Sequence, residues 1–256
     1  MATVLLKPGR EKSVLRRHPW VFSGAVAAVK GYPDSGETVK VLASNGDFLA
    51  WGAYSPVSQI RVRIWSWRED ERIDPAFFYA RLDRALAYRR SYTDTSAMRL
   101  VYGESDDIPG LVVDRYGDIL VVQFLSTGVE HWRQTIADSL MELTGLRHIW
   151  ERSDADVRRL EGLPLRNGSL RGTAPEQVRI VENNLMFHVN VHQGQKSGFY
   201  LDQAQNRRYV RSISQDKAVL DCFAYTGGFF AECTGRGGSQ SDGGGFVGGS
   251  HGVSAA

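Results

Sequence analysis

The sequence predicts a mixed fold in three parts: a β-rich N-terminal domain, a central α+β domain, and the beginning of a doubly wound α/β domain that is incomplete. Three observations carry this prediction. Strand-like runs separated by turns fill residues 1–72, a helical period begins at Pro75, and a buried-type strand with a glycine turn, AVLDCFAYTGG, lies near residue 220. We therefore expect boundaries near residues 72 and 185, with a separate tail from residue 231.

The N-terminal domain is predicted from four short strands, WVFSGAV, ETVKVLAS, FLAWGAYS and IRVRIWSW, with Asn45-Gly46 as a hairpin turn. In the last strand the residues alternate, so Arg61, Arg63, Trp65 and Trp67 share one face. This basic and aromatic face is either a binding surface or a set of rings packed against a neighbouring helix.

The central domain, residues 73–185, begins with a helix from Pro75 to about Tyr92, for which Asp74 is the expected N-cap. Two strands around a glycine turn, GLVVDRYGDILVVQFLS, precede a helix near 130–143 and the strand HIWERSD. Residues 154–175 are predicted to be a connection. Two strands, VRIVEN and LMFHVNVH, then meet at an Asn183-Asn184 turn.

Composition narrows the function classes. The chain has 42% hydrophobic and 23% charged residues, and no apolar run approaches the roughly 18–20 residues of a membrane span. Two cysteines and six scattered histidines make neither a disulfide framework nor a metal site. We expect a cytoplasmic protein without a membrane partner or a bound metal.

Positive charge is concentrated near the N-terminus, although the formal net charge is only +2. This basic run precedes His18 and Trp20, and it is either a solvated face or a patch that contacts RNA phosphates beside stacking rings. Its members, all candidates for RNA contact, are Lys7, Arg10, Lys12, Arg16 and Arg17.

The strongest chemical signal lies between His192 and Phe230. There the glycine turn after AVLDCF lets backbone N–H groups approach a ligand, because Gly227 and Gly228 carry no side chain. A strand, a glycine turn and a helix are common in α/β proteins, but GQKSGFYLDQAQNR about twenty residues earlier makes the combination specific.

These segments, together with GREKSVLRRHPWVFSGAV, GESDDIPGLVVDRYGD and ERSDADVRRLEG, resemble one family over about residues 4–230. It comprises bacterial S-adenosylmethionine-dependent methyltransferases, headed by a PUA domain, that make 5-methylcytosine in large-subunit ribosomal RNA. The resemblance implies a PUA domain at 1–72, a central α+β domain, and a Rossmann-like methyltransferase domain of which 186–230 is the first part. Ribosomal RNA is the implied partner and S-adenosylmethionine the implied cofactor.

The resemblance also implies which residues lie beside the cofactor. Phe199 and Tyr200 are expected to cover its apolar or sulfonium-bearing part, or else to be ordinary core residues. Cys222, inside the cofactor strand and turn, is expected to be a small buried residue and not a nucleophile. The implied cofactor-binding residues are Phe199, Tyr200, Asp202, Gln203, Arg207, Asp221, Phe223, Tyr225, Thr226, Gly227 and Gly228. For RNA contact, Arg61 and Arg63 join the basic run.

The family's catalytic residues have no counterpart in this sequence. Its nucleophilic cysteine and the Asp-Pro-Pro-Lys-type loop belong to later strands, whereas 231–256 is a tail in which nine of 26 residues are glycine. A tail of this composition cannot bury enough apolar surface to fold, so we expect it to be disordered. We interpret the break as a frameshift and expect an inactive product. The alternative is a non-catalytic RNA-binding module.

Overall fold

The computed structural model describes residues 1–90, 96–194, 196–215, 217–222, 224, 227–234 and 246–248. Its N-terminal part is a six-stranded sheet with one short helix between the first two strands. The elements are β1 (Thr3–Leu6), α1 (Lys12–Leu15), β2 (Trp20–Phe22), β3 (Val26–Lys30), β4 (Thr38–Leu42), β5 (Phe48–Tyr54) and β6 (Ile60–Ser66). The strand order is β2-β6-β5-β4-β1-β3, and only the β1/β4 pair is parallel.

The hairpin between β4 and β5 confirms the turn predicted at Asn45-Gly46. Gly46 has a φ of +95°, a conformation that glycine adopts without steric cost. In β4, Val39 and Val41 are fully buried, and Thr38, Lys40 and Leu42 alternate with them as half-buried residues. This period of two places one face of the sheet on the apolar core.

Strand β6 decides between the two interpretations of its basic and aromatic face. Residues 62–66 are all buried, so the strand is covered on both sides. Trp65 is only 1% exposed, and its ring packs edge-to-face on Phe78 with the centroids 5.2 Å apart. The packing interpretation was therefore the correct one for this ring.

The central part is a five-stranded sheet with helices on one face. The elements are α2 (Pro75–Arg90), β7 (Ala97–Tyr102), β8 (Leu111–Tyr116), β9 (Ile119–Phe124), α3 (Thr127–His131), α4 (Arg133–Thr144), β10 (His148–Ser153), α5 (Val157–Leu160) and β11 (Arg166–Arg171). The strand order is β11-β10-β9-β8-β7, and only β9/β10 is parallel. The predicted cap of α2 is confirmed, because the Phe77 amide donates to Asp74 Oδ1 at 3.1 Å.

Both faces of the central sheet are buried, as the four successive apolar residues 119–122 of β9 indicate. Leu120 and Val122 pack with helices α2 and α4, whereas Ile119 and Val121 belong to a separate core on the opposite face. That opposite face carries the predicted functional segment.

The prediction of a plain connection over 154–175 was wrong. It contains α5 and β11, and β11 pairs antiparallel with β10. This edge strand reads RNGSLR and has no fully buried residue, so it lacks the apolar alternation by which strands are recognised.

The hairpin β12 (Gln177–Glu182) and β13 (Leu185–Asn190) covers the second face of the central sheet. Asn183 and Asn184 have φ values of +51° and +65°, which confirms the predicted two-residue turn. After the hairpin come α6 (Ala204–Ile213), β14 (Val219–Asp221), α7 (Gly228–Thr234) and β15 (Phe246–Gly248).

Strand β14 is not the buried strand that its sequence indicates. Leu220 is 67% exposed, and within the part of the chain that the structure describes β14 pairs only with β15, antiparallel. The prediction of an unstructured tail also needs correction, because 231–234 end helix α7 and 246–248 form β15. The remaining tail residues lie outside the described residues.

The N-terminal and central parts are joined by a close contact at Gly128 of α3. A Cβ atom at this position would stand 2.4 Å from Ala53 Cβ and 2.6 Å from Trp65 Cζ2, so only glycine fits. The Thr127 hydroxyl also donates to the Tyr54 carbonyl at 3.2 Å. Among the described residues, no helix is both long and apolar enough to cross a membrane.

Candidate functional site

The segment after β13 is anchored to the central sheet by a buried polar cluster. The Tyr116 hydroxyl lies 3.0 Å from Ser197 Oγ and accepts a 3.1 Å hydrogen bond from the Phe199 amide. Ser197 Oγ also donates to the Asp114 carboxylate, and Ser197 and Asp114 are both fully buried. Buried polar groups that satisfy one another fix a single arrangement, so Ser197–Phe199 is held firmly on β8.

Charge within this cluster is balanced by Arg99, whose Nε and Nη2 donate to the two oxygens of Asp114 at 2.8 and 2.9 Å. Burial, and secondarily the charge of Asp114, raise the pKa of Tyr116 well above its ordinary value. Tyr116 is thus a neutral hydroxyl throughout the physiological range and serves as an anchor.

Two glycines allow the chain to fold back tightly before this anchor. A Cβ at Gly194 would meet the Asn190 carbonyl oxygen at 2.3 Å, and one at Gly198, whose φ is +142°, would meet Val189 at 2.8 Å. The Arg152 guanidinium donates to the Gly194 carbonyl at 3.1 and 3.2 Å. These contacts explain why the GQKSG sequence needs glycine at both positions.

Two residues predicted to touch the cofactor are used inside the protein. Arg207 is 2% exposed and makes a bidentate pair with Glu182 at 2.7 and 2.8 Å. Its guanidinium also lies 4.4 Å from the ring centroid of Phe199, which is 4% exposed and packs against Phe187. The core interpretation therefore applies to Phe199, and a contact of Arg207 with a ligand is corrected to a structural ion pair.

The remaining predicted residues of this segment are more accessible. Tyr200 and Gln203 are half-buried and Asp202 is exposed, in the turn that leads into α6. Phe223, Tyr225 and Thr226 lie outside the described residues.

Asp221 and the glycine turn form the part of the site best suited to a ligand. Asp221 Oδ2 is buried and has no hydrogen-bond partner among the described residues. Gly227 has a φ of +66°, and Gly228 packs against Arg207 and Phe199 without a side chain of its own. A carboxylate oxygen without a partner beside a glycine turn can receive the N–H groups of a cationic ligand.

Replacing Asp221 by asparagine is expected to raise Tm slightly at pH 7. Desolvation raises the pKa of Asp221 despite a hydrogen bond from the Phe230 backbone, so the charged carboxylate destabilises the folded state above that pKa. As the pH falls through the raised pKa, the folded protein takes up the proton and the difference should disappear. Thermal unfolding at pH 7 and at pH 4 measures this.

The matched control for this substitution is Asp202→Asn, which removes an exposed carboxylate from the same segment and should leave Tm unchanged. A lower Tm for Asp221→Asn at pH 7 would contradict the prediction, because it would mean that the carboxylate stabilises the fold.

The predicted RNA contacts of the basic run lie together on the surface around β1 and α1. All five side chains are exposed. Lys7 Nζ donates to the Gly24 carbonyl at 2.9 Å, and the Arg17 guanidinium lies 5.3 Å from the Trp67 ring centroid. The other three members of the run have no ion-pair partner among the described residues.

The two arginines of β6 differ from the basic run. Arg61 is half-buried and donates to the Ser55 carbonyl at 2.8 Å. The side chain of Arg63 is only 9% exposed and pairs with Glu161 at 3.0 Å and with Glu104 at 3.3 Å. Its predicted contact with RNA is therefore corrected: Arg63 joins the N-terminal sheet to the central domain.

Sequence reasoning missed the anchor residues Asp114 and Tyr116. A signal was present, because two polar side chains two residues apart in one strand face the same side, and when that side is buried they need partners there. Among the described residues there is no group of three or more histidine, cysteine or carboxylate side chains that could hold a metal.

Two family models match parts of the chain. Residues 4–67 match the model of a PUA-like domain. Residues 99–246 match the model of an S-adenosylmethionine-dependent methyltransferase.

Similar proteins include the ribosomal RNA large subunit methyltransferase I of Tolumonas auensis, 48% identical over 89% of this chain, and that of Shewanella amazonensis, 47% identical over 88%. The chain spans 58% of the length of each. Solved structures with the same fold include an S-adenosylmethionine-dependent methyltransferase from Streptococcus mutans (TM-score 0.75) and a methyltransferase complexed with SAH (TM-score 0.77). Each is 21% identical, and the match covers 93% of this chain and 61% of the other.

Proposed function

The chain belongs to the S-adenosylmethionine-dependent methyltransferase family, and from this membership we propose that it acts in methylation of large-subunit ribosomal RNA, with 5-methylcytosine as the product. Two features of one chain together carry the proposal. One is an N-terminal domain with an exposed basic run, and the other is a glycine turn beside Asp221, whose buried Oδ2 has no hydrogen-bond partner among the described residues. The first element suits RNA and the second suits a cationic cofactor.

The residues present fit S-adenosylmethionine. Asp221 would hold the cofactor's ammonium group, because its buried Oδ2 lacks a donor among the described residues. Gly227 and Gly228 would admit the amino-acid part, since no side chain projects from either residue. When bound, the cofactor supplies an electrophilic methyl group on a sulfonium.

The anchor residues act indirectly. Tyr116 and Asp114 hold Ser197–Phe199 on the central sheet, and Arg207 ties α6 to Glu182 of β12. The second arrangement keeps the turn before α6 close to the glycine turn, because a Cβ atom at Gly228 would stand 3.3 Å from Arg207 Cδ. We infer that these residues position the cofactor-binding segments.

Cytosine methylation at C5 requires a thiolate that adds to C6 and a base that later removes the C5 proton. Cys222 is exposed beside Asp221, so the expectation that it is buried was wrong, and Cys233 donates to Ser214 Oγ at 3.3 Å. Neither has a histidine, lysine or carboxylate as a hydrogen-bond partner among the described residues. We therefore propose that neither is the nucleophile and that residues 1–256 alone do not transfer a methyl group.

A second candidate function is an RNA-binding module without catalysis. The pairing of β14 favours it, because in the described part of the chain this strand has one antiparallel neighbour and an exposed Leu220, and not the parallel neighbours of a doubly wound sheet.

Calorimetry with SAH and with protein-free large-subunit ribosomal RNA, followed by an assay with radiolabelled S-adenosylmethionine, tests these proposals. We expect both ligands to bind the parent chain. Asp221→Asn should weaken SAH binding at least about tenfold, and Asp202→Asn should weaken it less. We expect no label to reach RNA. RNA binding without SAH binding would support the non-catalytic module. Label in RNA would disprove the proposed inactivity, and its loss in Cys222→Ala would identify the nucleophile.

A further inference from the structure

A cleft of about 450 Å³ lies between the N-terminal sheet and the central domain, outside the cofactor segment. Its volume is within the roughly 300–1,000 Å³ of small-ligand sites. We call it the aromatic cleft. Its wall and floor are formed by His18, Trp20, Tyr102, Glu104, Val112 and Leu125.

Aromatic rings with free surface border this cleft. Tyr102 is 54% exposed, and the Arg99 guanidinium lies 5.1 Å from the centroid of the Tyr102 ring. Trp20 stands edge-to-face with His18 at 5.7 Å and with Phe22 at 6.2 Å, and Phe22 is itself 48% exposed. Exposed rings of this kind are platforms on which unpaired bases stack.

Glu104 gives the cleft a polar wall. Its Oε1 accepts hydrogen bonds from Trp20 Nε1 at 2.6 Å and from Arg63 Nη1 at 3.3 Å. Its Oε2 accepts none from the described residues, and the side chain is 32% exposed. A carboxylate oxygen here can accept an N–H group of a base, whereas it repels a phosphate.

The side chains next to the aromatic cleft are positively charged, opposite to Glu104. His18 is the next residue after Arg16 and Arg17, the last cations of the basic run, and both arginines are exposed. An RNA strand could therefore place phosphates on the basic run and a base in the adjoining cleft.

We propose that the aromatic cleft binds one unpaired nucleobase of an RNA strand, stacked on Tyr102 with an N–H group directed to Glu104. This inference rests on the proposed RNA-binding function and names the part of the RNA that the cleft recognises. It separates recognition of a base from the attraction of phosphates, which the basic run provides.

The test uses Tyr102→Ala, Tyr102→Phe and, as a control, Tyr32→Ala, which removes an exposed tyrosine that does not line the cleft. Fluorescence anisotropy measures binding of labelled single-stranded oligoadenylate and of an RNA duplex of equal length, because pairing hides the bases and keeps the phosphates. We expect Tyr102→Ala to weaken single-strand binding at least about fivefold. Tyr102→Phe and Tyr32→Ala should match the parent, and duplex binding should stay constant.

The salt dependence of binding separates stacking of a base in the cleft from attraction of phosphates by the basic run. Loss of a stacking ring should leave the slope of log affinity against log salt unchanged, since no phosphate contact is removed. Single-strand binding by Tyr102→Ala within twofold of the parent, or equal losses for single strand and duplex, would overturn the base site while leaving RNA binding intact. A parent chain that binds neither RNA would overturn both.

Discussion

Replacing the five cations of the basic run by alanine is expected to lower the affinity for single-stranded RNA by about 100-fold to 1,000-fold near ~0.1 M salt. Each phosphate neutralised on a single strand contributes about 0.7 to the slope of log affinity against log salt, so the slope should fall by up to about 3.5. The exposure of all five side chains makes them available for such contacts. Titrations at several salt concentrations measure both quantities.

A second variant with the same change of charge serves as the control. It replaces exposed cations on other surfaces and should lose much less affinity, because only long-range attraction is reduced. Equal losses in the two variants would show that the basic run is not the RNA footprint. The control positions are Lys30, Arg72, Arg147, Arg179 and Arg208.

The substitution Trp65→Ala is expected to reduce the free energy of unfolding by about 3–5 kcal/mol. Trp65 is 1% exposed, and its ring packs on Phe78 and beside Gly128. A smaller side chain at position 65 would leave the space of the ring empty. A loss of this size is a large share of the roughly 5–15 kcal/mol by which domains are stable. Urea unfolding followed by circular dichroism measures it.

Two other substitutions show whether the loss of stability in Trp65→Ala comes from lost packing. Trp65 Nε1 is buried without a hydrogen-bond partner among the described residues, so Trp65→Phe removes an unsatisfied donor and should cost less than Trp65→Ala. Trp51 is half-buried, and Trp51→Ala should also cost less. A cost below about 1 kcal/mol for Trp65→Ala would mean that the junction does not depend on this ring.

Much of the fold could be predicted because the deciding signals are local. The Asp74-Pro75 helix start, the Asn183-Asn184 turn and the apolar run 119–122 of β9 each follow from backbone preferences or burial of neighbouring residues. Strand β11 could not be recognised, because its structure depends on pairing with β10 and not on its own composition. The same reason explains the exposed β14, whose apolar sequence indicates neighbours that the described residues do not provide.

The sequence located the segments of the candidate site better than it assigned the contacts of their individual residues. The segment around Ser197 and the turn at Gly227 could be found from sequence, but the partners of buried charges could not. Arg63 and Arg207 were predicted to contact ligands, yet each pairs with a glutamate distant in the chain. Such pairs come from tertiary packing, and no sequence period indicates them.

The close fit of Gly128 against Trp65 also has a consequence for the choice of target. This contact fixes the N-terminal sheet on the central sheet. The basic run and the glycine turn are therefore held at a constant separation. Under the proposed function, an RNA must bridge that span with its own folded shape. We therefore expect an RNA whose helix between the two contact points is one base pair longer to bind more weakly, although every contacting residue remains in place.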